Sequence, residues 1–230
     1  MYNVPMPFEA NLVEAICFDI DGTLNDTDDQ YVARLVPYLS LVKLLLPNRN
    51  PDRAARRLVM FLEAPGNFVL GLPDMFGLDG SVNWFLNMLN RGNKKKLRVY
   101  KPINGVLDMV PRLAAKYKLS VVSARSEETT RDFLNKTGLN AFIPVVVGAL
   151  TAEHTKPYPD PVLFAAAEMG VSPSRCVMVG DTVVDIRAGK AAGAQAVGVL
   201  CGFGEEGELQ KAKADAIMET TSALEKLLMG

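Results

Sequence analysis

The sequence predicts an α/β fold: a doubly wound parallel sheet with a small all-helical domain inserted into it. Three observations carry this expectation. Short, nearly continuous apolar runs alternate with segments of helical period, and those runs are rich in β-branched residues. One long stretch breaks the alternation with helical patterns alone.

Strands are expected at residues 14–19 (EAICFD), 119–123 (LSVVS), 142–147 (FIPVVV), 176–180 (CVMVG) and 194–200 (AQAVGVL). Runs that are apolar at successive positions suit strands covered by helices on both faces. Helices are expected between them at residues 105–117, 127–137, 161–169 and 184–192. Asp160 reads as an N-cap followed by Pro161 at the first helical position. Gly138 and Gly170 stand where helices stop. From residue 28 to 98 only helical candidates occur, at 29–46 (kinked at Pro37), 52–62 and 81–91. A stretch of about 70 residues is too long for an ordinary crossover loop. The expected division is therefore a core of residues 1–27 and 99–230 with a helical domain of residues 28–98.

Composition narrows the function class. With 230 residues, 49% of them hydrophobic and 22% charged, the chain can bury a sizeable core and is not of disordered type. Twenty-five basic against 26 acidic residues argue against a nucleic-acid partner or a membrane-seeking surface. Residues 35–46, the longest apolar-looking stretch, are interrupted by Pro37, Ser40 and Lys43 and are too short to span a bilayer. The N-terminus shows no basic start followed by an apolar run, so no signal peptide is expected. Cys17, Cys176 and Cys201 form no C-x-x-C pair, which suggests neither a disulfide framework nor a zinc site. A cytoplasmic protein is the expectation.

Ligands of an open parallel sheet bind beyond the carboxyl ends of its strands. Those ends carry Asp19 and Asp21, then Ser123, then Lys156 after the third strand, then Asp181 with Asp185 four residues on. Two carboxylates two residues apart point to different sides of the chain and can do different jobs, one as nucleophile or cation ligand and one as proton carrier. Like charges so close need a cation, and oxygen ligands without convergent His or Cys favour Mg²⁺ over Zn²⁺. A hydroxyl and a lysine facing that cation suit a phosphoryl group, whose transition state spreads charge over several oxygens. Gly22 and Thr23 form a tight turn whose backbone N–H groups could face an anion.

FDIDGTL at residues 18–24, Ser123, Lys156-Pro157 and GDTVVD at residues 180–185 resemble, in order, the four motifs of the haloacid dehalogenase superfamily of phosphatases. The likeness covers about residues 13–27 and 99–230. The insert is similar to the helical cap of the C1 subclass, as in phosphoglycolate phosphatase-like enzymes, and KPYPDPVLF (156–164) and GFG (202–204) strengthen the comparison. The resemblance implies a Rossmann-like core and a nucleophilic Asp19 that forms an aspartyl-phosphate. It implies Asp21 as general acid and base, Mg²⁺ held by Asp19, the backbone carbonyl of Asp21 and Asp181, and Asp185 in the outer metal shell or orienting Lys156. Catalysis would rest on Asp19, Asp21, Ser123 and Lys156, with Gly22, Thr23, Ser123, Ala124, Arg125 and Lys156 binding substrate. Ser123 stands where Thr is commoner in the family.

The expected function is Mg²⁺-dependent hydrolysis of a small phosphomonoester, phosphoglycolate-like or a sugar phosphate. A phosphomutase of the same superfamily is the alternative. A receiver-like signalling module lacks the DxDGT arrangement and the large insert, and a dehalogenase would not require Asp21. The expected partner is a small phosphorylated metabolite, with no nucleic acid and no membrane; the oligomeric state is open. His154 reads as an ordinary loop residue, Cys17 as a buried apolar one, and Trp84, Phe85 and Met88 as cap core. Residues 91–101 carry six bases and no acid, a solvated linker or a basic rim to the cleft.

Overall fold

The structure is a computed structural model and describes residues 8–26 and 100–230. Its core is a parallel sheet of six strands in the order β3-β2-β1-β4-β5-β6. The strands are β1 (Ala15–Phe18), β2 (Lys118–Val122), β3 (Val145–Val147), β4 (Cys176–Gly180), β5 (Gln195–Val199) and β6 (Ala216–Met218). Six helices accompany them: α1 (Val106–Ala114), α2 (Glu127–Thr137), α3 (Asp160–Glu168), α4 (Val183–Ala191), α5 (Glu206–Lys211) and α6 (Leu224–Met229). Among the described residues no helix is long and apolar enough to cross a membrane.

The apolar runs are continuous because each strand feeds two cores. Side chains alternate across a strand, so Ile16 and Phe18 join Met109 and Leu113 of α1 and Leu224 of α6. Ala15 and Cys17 face the other way, against Ala165 and Ala166 of α3 and Ala188 of α4. In β4, Val177 and Val179 belong to the first core and Cys176 and Met178 to the second. Register holds this in place: Phe18 pairs with Val121 on one side and Val179 on the other. A slip of one residue would exchange the two faces.

Local signals set the helix ends. Ser126 accepts a hydrogen bond from the Thr129 N–H at 3.4 Å and caps α2, Glu127 and Glu128 occupy its positive end, and Gly138 closes it in the left-handed region.

Several sequence expectations change. The third strand is Val145–Val147 rather than 142–147, because residues 139–141 form a 3-10 turn and Pro144 has no N–H to donate. Asp160 is not an N-cap: it is the first residue of α3, after Pro159, and its carboxylate is bonded to His154 Nδ1 at 3.0 Å. That exposed histidine also stacks on Tyr158, with ring centroids 4.8 Å apart, so its partners are local. The elements α5, β6 and α6 were not foreseen. Each is only three to six residues long, and β6 has no fully buried position to give it a clear apolar pattern.

The helical domain expected at 28–98, with Trp84, Phe85 and Met88, lies outside the described residues, as does the basic run up to residue 99. The two chain crossings that flank it lie side by side. Lys101 N–H donates to Asn25 Oδ1 at 2.9 Å, Asp26 N–H to the Lys101 carbonyl at 2.7 Å, and Ile103 N–H to the Leu24 carbonyl at 3.0 Å. Lys101, the last base of the run, pairs with Asp26.

Candidate active site

In this strand order the chain runs from β1 through β2 to β3 on one side and then crosses over to β4 on the other side of β1, so the crevice lies beyond the carboxyl ends of β1, β2 and β4. Each of the three strands hands over its chemistry in the next residue: Asp19 after β1, Ser123 after β2, Asp181 after β4. The backbone ladder extends one step to fix them. Asp19 N–H donates to the Val179 carbonyl and Ser123 N–H to the Val147 carbonyl, both at 2.9 Å.

Lys156 reaches this crevice from the loop before α3 with its side chain 6% exposed. Its Nζ donates to Asp19 Oδ1 at 2.8 Å and to Asp185 Oδ1 at 2.6 Å. Burial works against its charge most strongly, but Asp185 and Asp19 override that and hold its pKa well above the ordinary lysine value. Asp185 has a second task. Its Oδ2 accepts from the Thr182 N–H at 3.1 Å and from Thr182 Oγ1 at 2.6 Å, which ties the first turn of α4. One oxygen of Asp185 thus orients Lys156 while the other closes the capping box of α4.

Asp181 is fully buried. Its Oδ2 accepts from the Phe203 N–H at 2.8 Å, and Thr23 Oγ1 lies 3.5 Å from its Oδ1. Glycine is required around it: a Cβ at Gly22 or at Gly202 would overlap the Asp181 carboxylate, and Gly22 has φ +73°. Thr221 Oγ1 donates to the Thr23 carbonyl at 2.6 Å and completes the support. Phe203 and Thr221 were not singled out from sequence. The glycines at 202 and 204, just past a strand end, were the available signal for the first; Thr221 offered none.

One expectation is corrected here. The N–H groups of Gly22 and Thr23 do not face an anion but close their own turn, donating to the carbonyls of Asn25 at 2.9 Å and Ile20 at 3.2 Å. Arg125, expected to bind substrate, is held on Asp21. Its Nε donates to Asp21 Oδ2 at 2.6 Å and its Nη2 pairs with Asp21 Oδ1, with both side chains about four-fifths buried. Burial lowers the Arg125 pKa most, yet its bonds to Asp21 raise it overall. Ser123 is buried and its Oγ accepts from the Arg125 N–H at 3.2 Å, while Ala124 is exposed.

Burial raises the Asp19 pKa to about 7, against the pull of Lys156 and with added push from Asp185 and Asp21. Ligand oxygens of Asp19, Asp181 and Asp185 all lie within 4.8 Å of one another. Among the described residues three buried carboxylates gather around one ammonium, and the donors they offer are hard oxygens. The residues present therefore fit a divalent oxophilic cation.

Comparison with known proteins agrees with this geometry. A family model of haloacid dehalogenase-like hydrolases matches residues 74–199. The pyrophosphatase PpaX of Bacillus velezensis is 30% identical over 213 residues, covering 92% of this chain and 94% of that one. The chain belongs to the haloacid dehalogenase-like hydrolases. A second member, the phosphoglycolate phosphatase of Aquifex aeolicus, is 30% identical over 193 residues, covering 83% of this chain and 86% of its own. Among solved structures, a haloacid dehalogenase family hydrolase from Deinococcus radiodurans, with bound phosphate and sodium, superposes with a TM-score of 0.62 at 21% identity. It covers 94% of this chain and 95% of its own. These relatives place the enzyme among the phosphatases of the haloacid dehalogenase-like family.

Proposed function

We propose that this haloacid dehalogenase-like enzyme is a Mg²⁺-dependent phosphatase of a small phosphomonoester, working in the cytoplasm through an aspartyl-phosphate on Asp19. The observation that carries the reading is the Asp19–Lys156–Asp185 chain, buried at the switch point of the sheet beside Asp181. Three unpaired thiols, two of them buried in adjacent strands, accord with a reducing compartment.

In the first half-reaction an Asp19 oxygen attacks phosphorus. The Asp19 O–P bond forms as the ester P–O bond breaks, and Asp21 delivers a proton to the leaving oxygen. In the second, Asp21 takes a proton from water as the water oxygen attacks phosphorus; the Asp19 O–P bond breaks and inorganic phosphate leaves. Lys156, already seated on Asp19, presents its charge to the equatorial oxygens, and the Ser123 hydroxyl donates to another. Asp19, Asp181 and the Asp21 carbonyl would hold Mg²⁺, which would supply positive charge to offset both the carboxylates and the phosphoryl oxygens. Asp185 keeps Lys156 aimed and stays outside the reacting atoms.

The test is hydrolysis of p-nitrophenyl phosphate with and without Mg²⁺. We expect release of inorganic phosphate only with the metal, and a loss of at least about 1,000-fold in kcat for Asp19→Asn. Metal-independent turnover, or an active Asp19→Asn, overturns the mechanism. Isomerisation of a sugar phosphate without phosphate release assigns the same residues to a mutase instead.

A further inference from the structure

The pair formed by Arg125 and Asp21 sits at the site with no purpose in the chemistry just described, and it obstructs that chemistry. Both oxygens of Asp21 are taken by one guanidinium, through Nε at 2.6 Å and through Nη2. A carboxyl so held spends a lone pair of each oxygen on the guanidinium and is turned towards the arginine, so it must leave the fork to face a leaving group squarely. The arginine is itself held in place: its guanidinium carbon lies 5.9 Å from the Tyr100 ring centroid, and the Tyr100 hydroxyl donates to Asp132 at 2.8 Å. Its backbone N–H is anchored on Ser123 Oγ, the hydroxyl assigned to the phosphoryl group. Arg125 and Asp21 keep 18% and 20% of their side-chain surfaces open, so a substrate at the mouth can reach both.

We propose that Arg125 is a two-position latch that makes the enzyme specific for phosphoesters or anhydrides whose leaving group carries a second anion, a carboxylate or a phosphate. This rests on the phosphatase reading. A guanidinium fork binds carboxylate and phosphate in the same bidentate way that it binds Asp21. A substrate bearing such a group within reach of the reacting phosphorus competes for the fork, and Asp21 is released beside the leaving oxygen it must serve. A substrate of equal size without the second anion leaves Asp21 clamped. Discrimination then appears in kcat as well as in KM, because the second anion completes the catalytic arrangement instead of only adding affinity.

Matched substrates test this: 2-phosphoglycolate against 2-hydroxyethyl phosphate for a carboxylate, and ethane-1,2-diyl bisphosphate against ethyl phosphate for a phosphate, all four with an alkoxide leaving group. The wild type should favour the anionic member of at least one pair by on the order of 10- to 100-fold in kcat/KM, with part of the difference in kcat. The pair that shows it tells which anion the latch takes. In Arg125→Gln the ratio should fall to about one, and Arg125→Lys, which keeps charge but loses the fork, should retain part of it. If Arg125→Gln does not fold by circular dichroism, the Lys variant carries the comparison. A wild-type ratio near one for both pairs, or a ratio unchanged in the folded variants, overturns the latch and leaves the phosphatase reading standing. No hydrolysis of any of the four by a wild type that does hydrolyse p-nitrophenyl phosphate overturns the latch alone, and inactivity towards all five overturns both.

Discussion

Lys156 carries its charge where only 6% of its side chain meets solvent, and two buried carboxylates depend on it. Removing one member of a buried ion pair costs far more than removing an exposed one, because the partner charge stays behind unpaired. Lys156→Met should therefore destabilise the fold by about 3–5 kcal/mol in urea unfolding and abolish turnover. Lys101→Met, which removes an ammonium that is 63% exposed beside Asp26, should change stability by less than about 1 kcal/mol. Equal losses in the two variants would refute the assignment of Lys156 as the buried hub. At this scale Asp19, Asp181 and Lys156 are legible from sequence, since strand ends and loops of an α/β sheet announce themselves. The pairing of Arg125 with Asp21 is not: 104 positions separate the two residues, and no local pattern encodes a contact across two strand ends.

At the scale of elements, the turn after β1 shows how local rules and packing divide the work. Its N–H groups are satisfied internally, so its shape is a property of the IDGTLN segment itself. Its fit against Asp181 is a property of the fold, because Gly22 must be bare on that side and left-handed. Gly22→Ala should cost roughly 1–3 kcal/mol from the positive φ alone. It should also displace Asp181, so kcat ought to fall more steeply than the folded fraction does; parallel losses would mean that only stability was touched. The short elements α5, β6 and α6 escape sequence reading for a related reason. With so few residues each, their apolar positions make sense only against β5 and the core they cover.

Across the whole molecule the site opposes stability. Asp19 has its pKa raised to about 7 in the folded chain, from the ordinary value near 4 in the unfolded one. A carboxyl raised in this way favours folding at low pH; the contribution is complete below about pH 4 and is lost as pH rises through about 7. Protein freed of divalent cations with EDTA should thus melt at a lower temperature at pH 8 than at pH 6, as far as this group governs. Mg²⁺ should restore more at pH 8, where Asp19 is ionised. Thermal melts at both pH values, with and without the metal, check this, and a larger Mg²⁺ gain at pH 6 would contradict it.

The sequence by itself determined the parallel α/β class, the places where strands end and the identity of the acids and the lysine. Those follow from short-range regularities: continuous apolar runs rich in β-branched residues, glycine-bearing turns and residues set just past a strand. Only the tertiary structure decided the register that splits each strand between two cores and the two tasks of the Asp185 oxygens. It also decided that Gly22 must stay bare against Asp181, and that Arg125 holds Asp21. These depend on distances between segments remote in the chain, where burial and charge balance choose among partners that the sequence leaves equal.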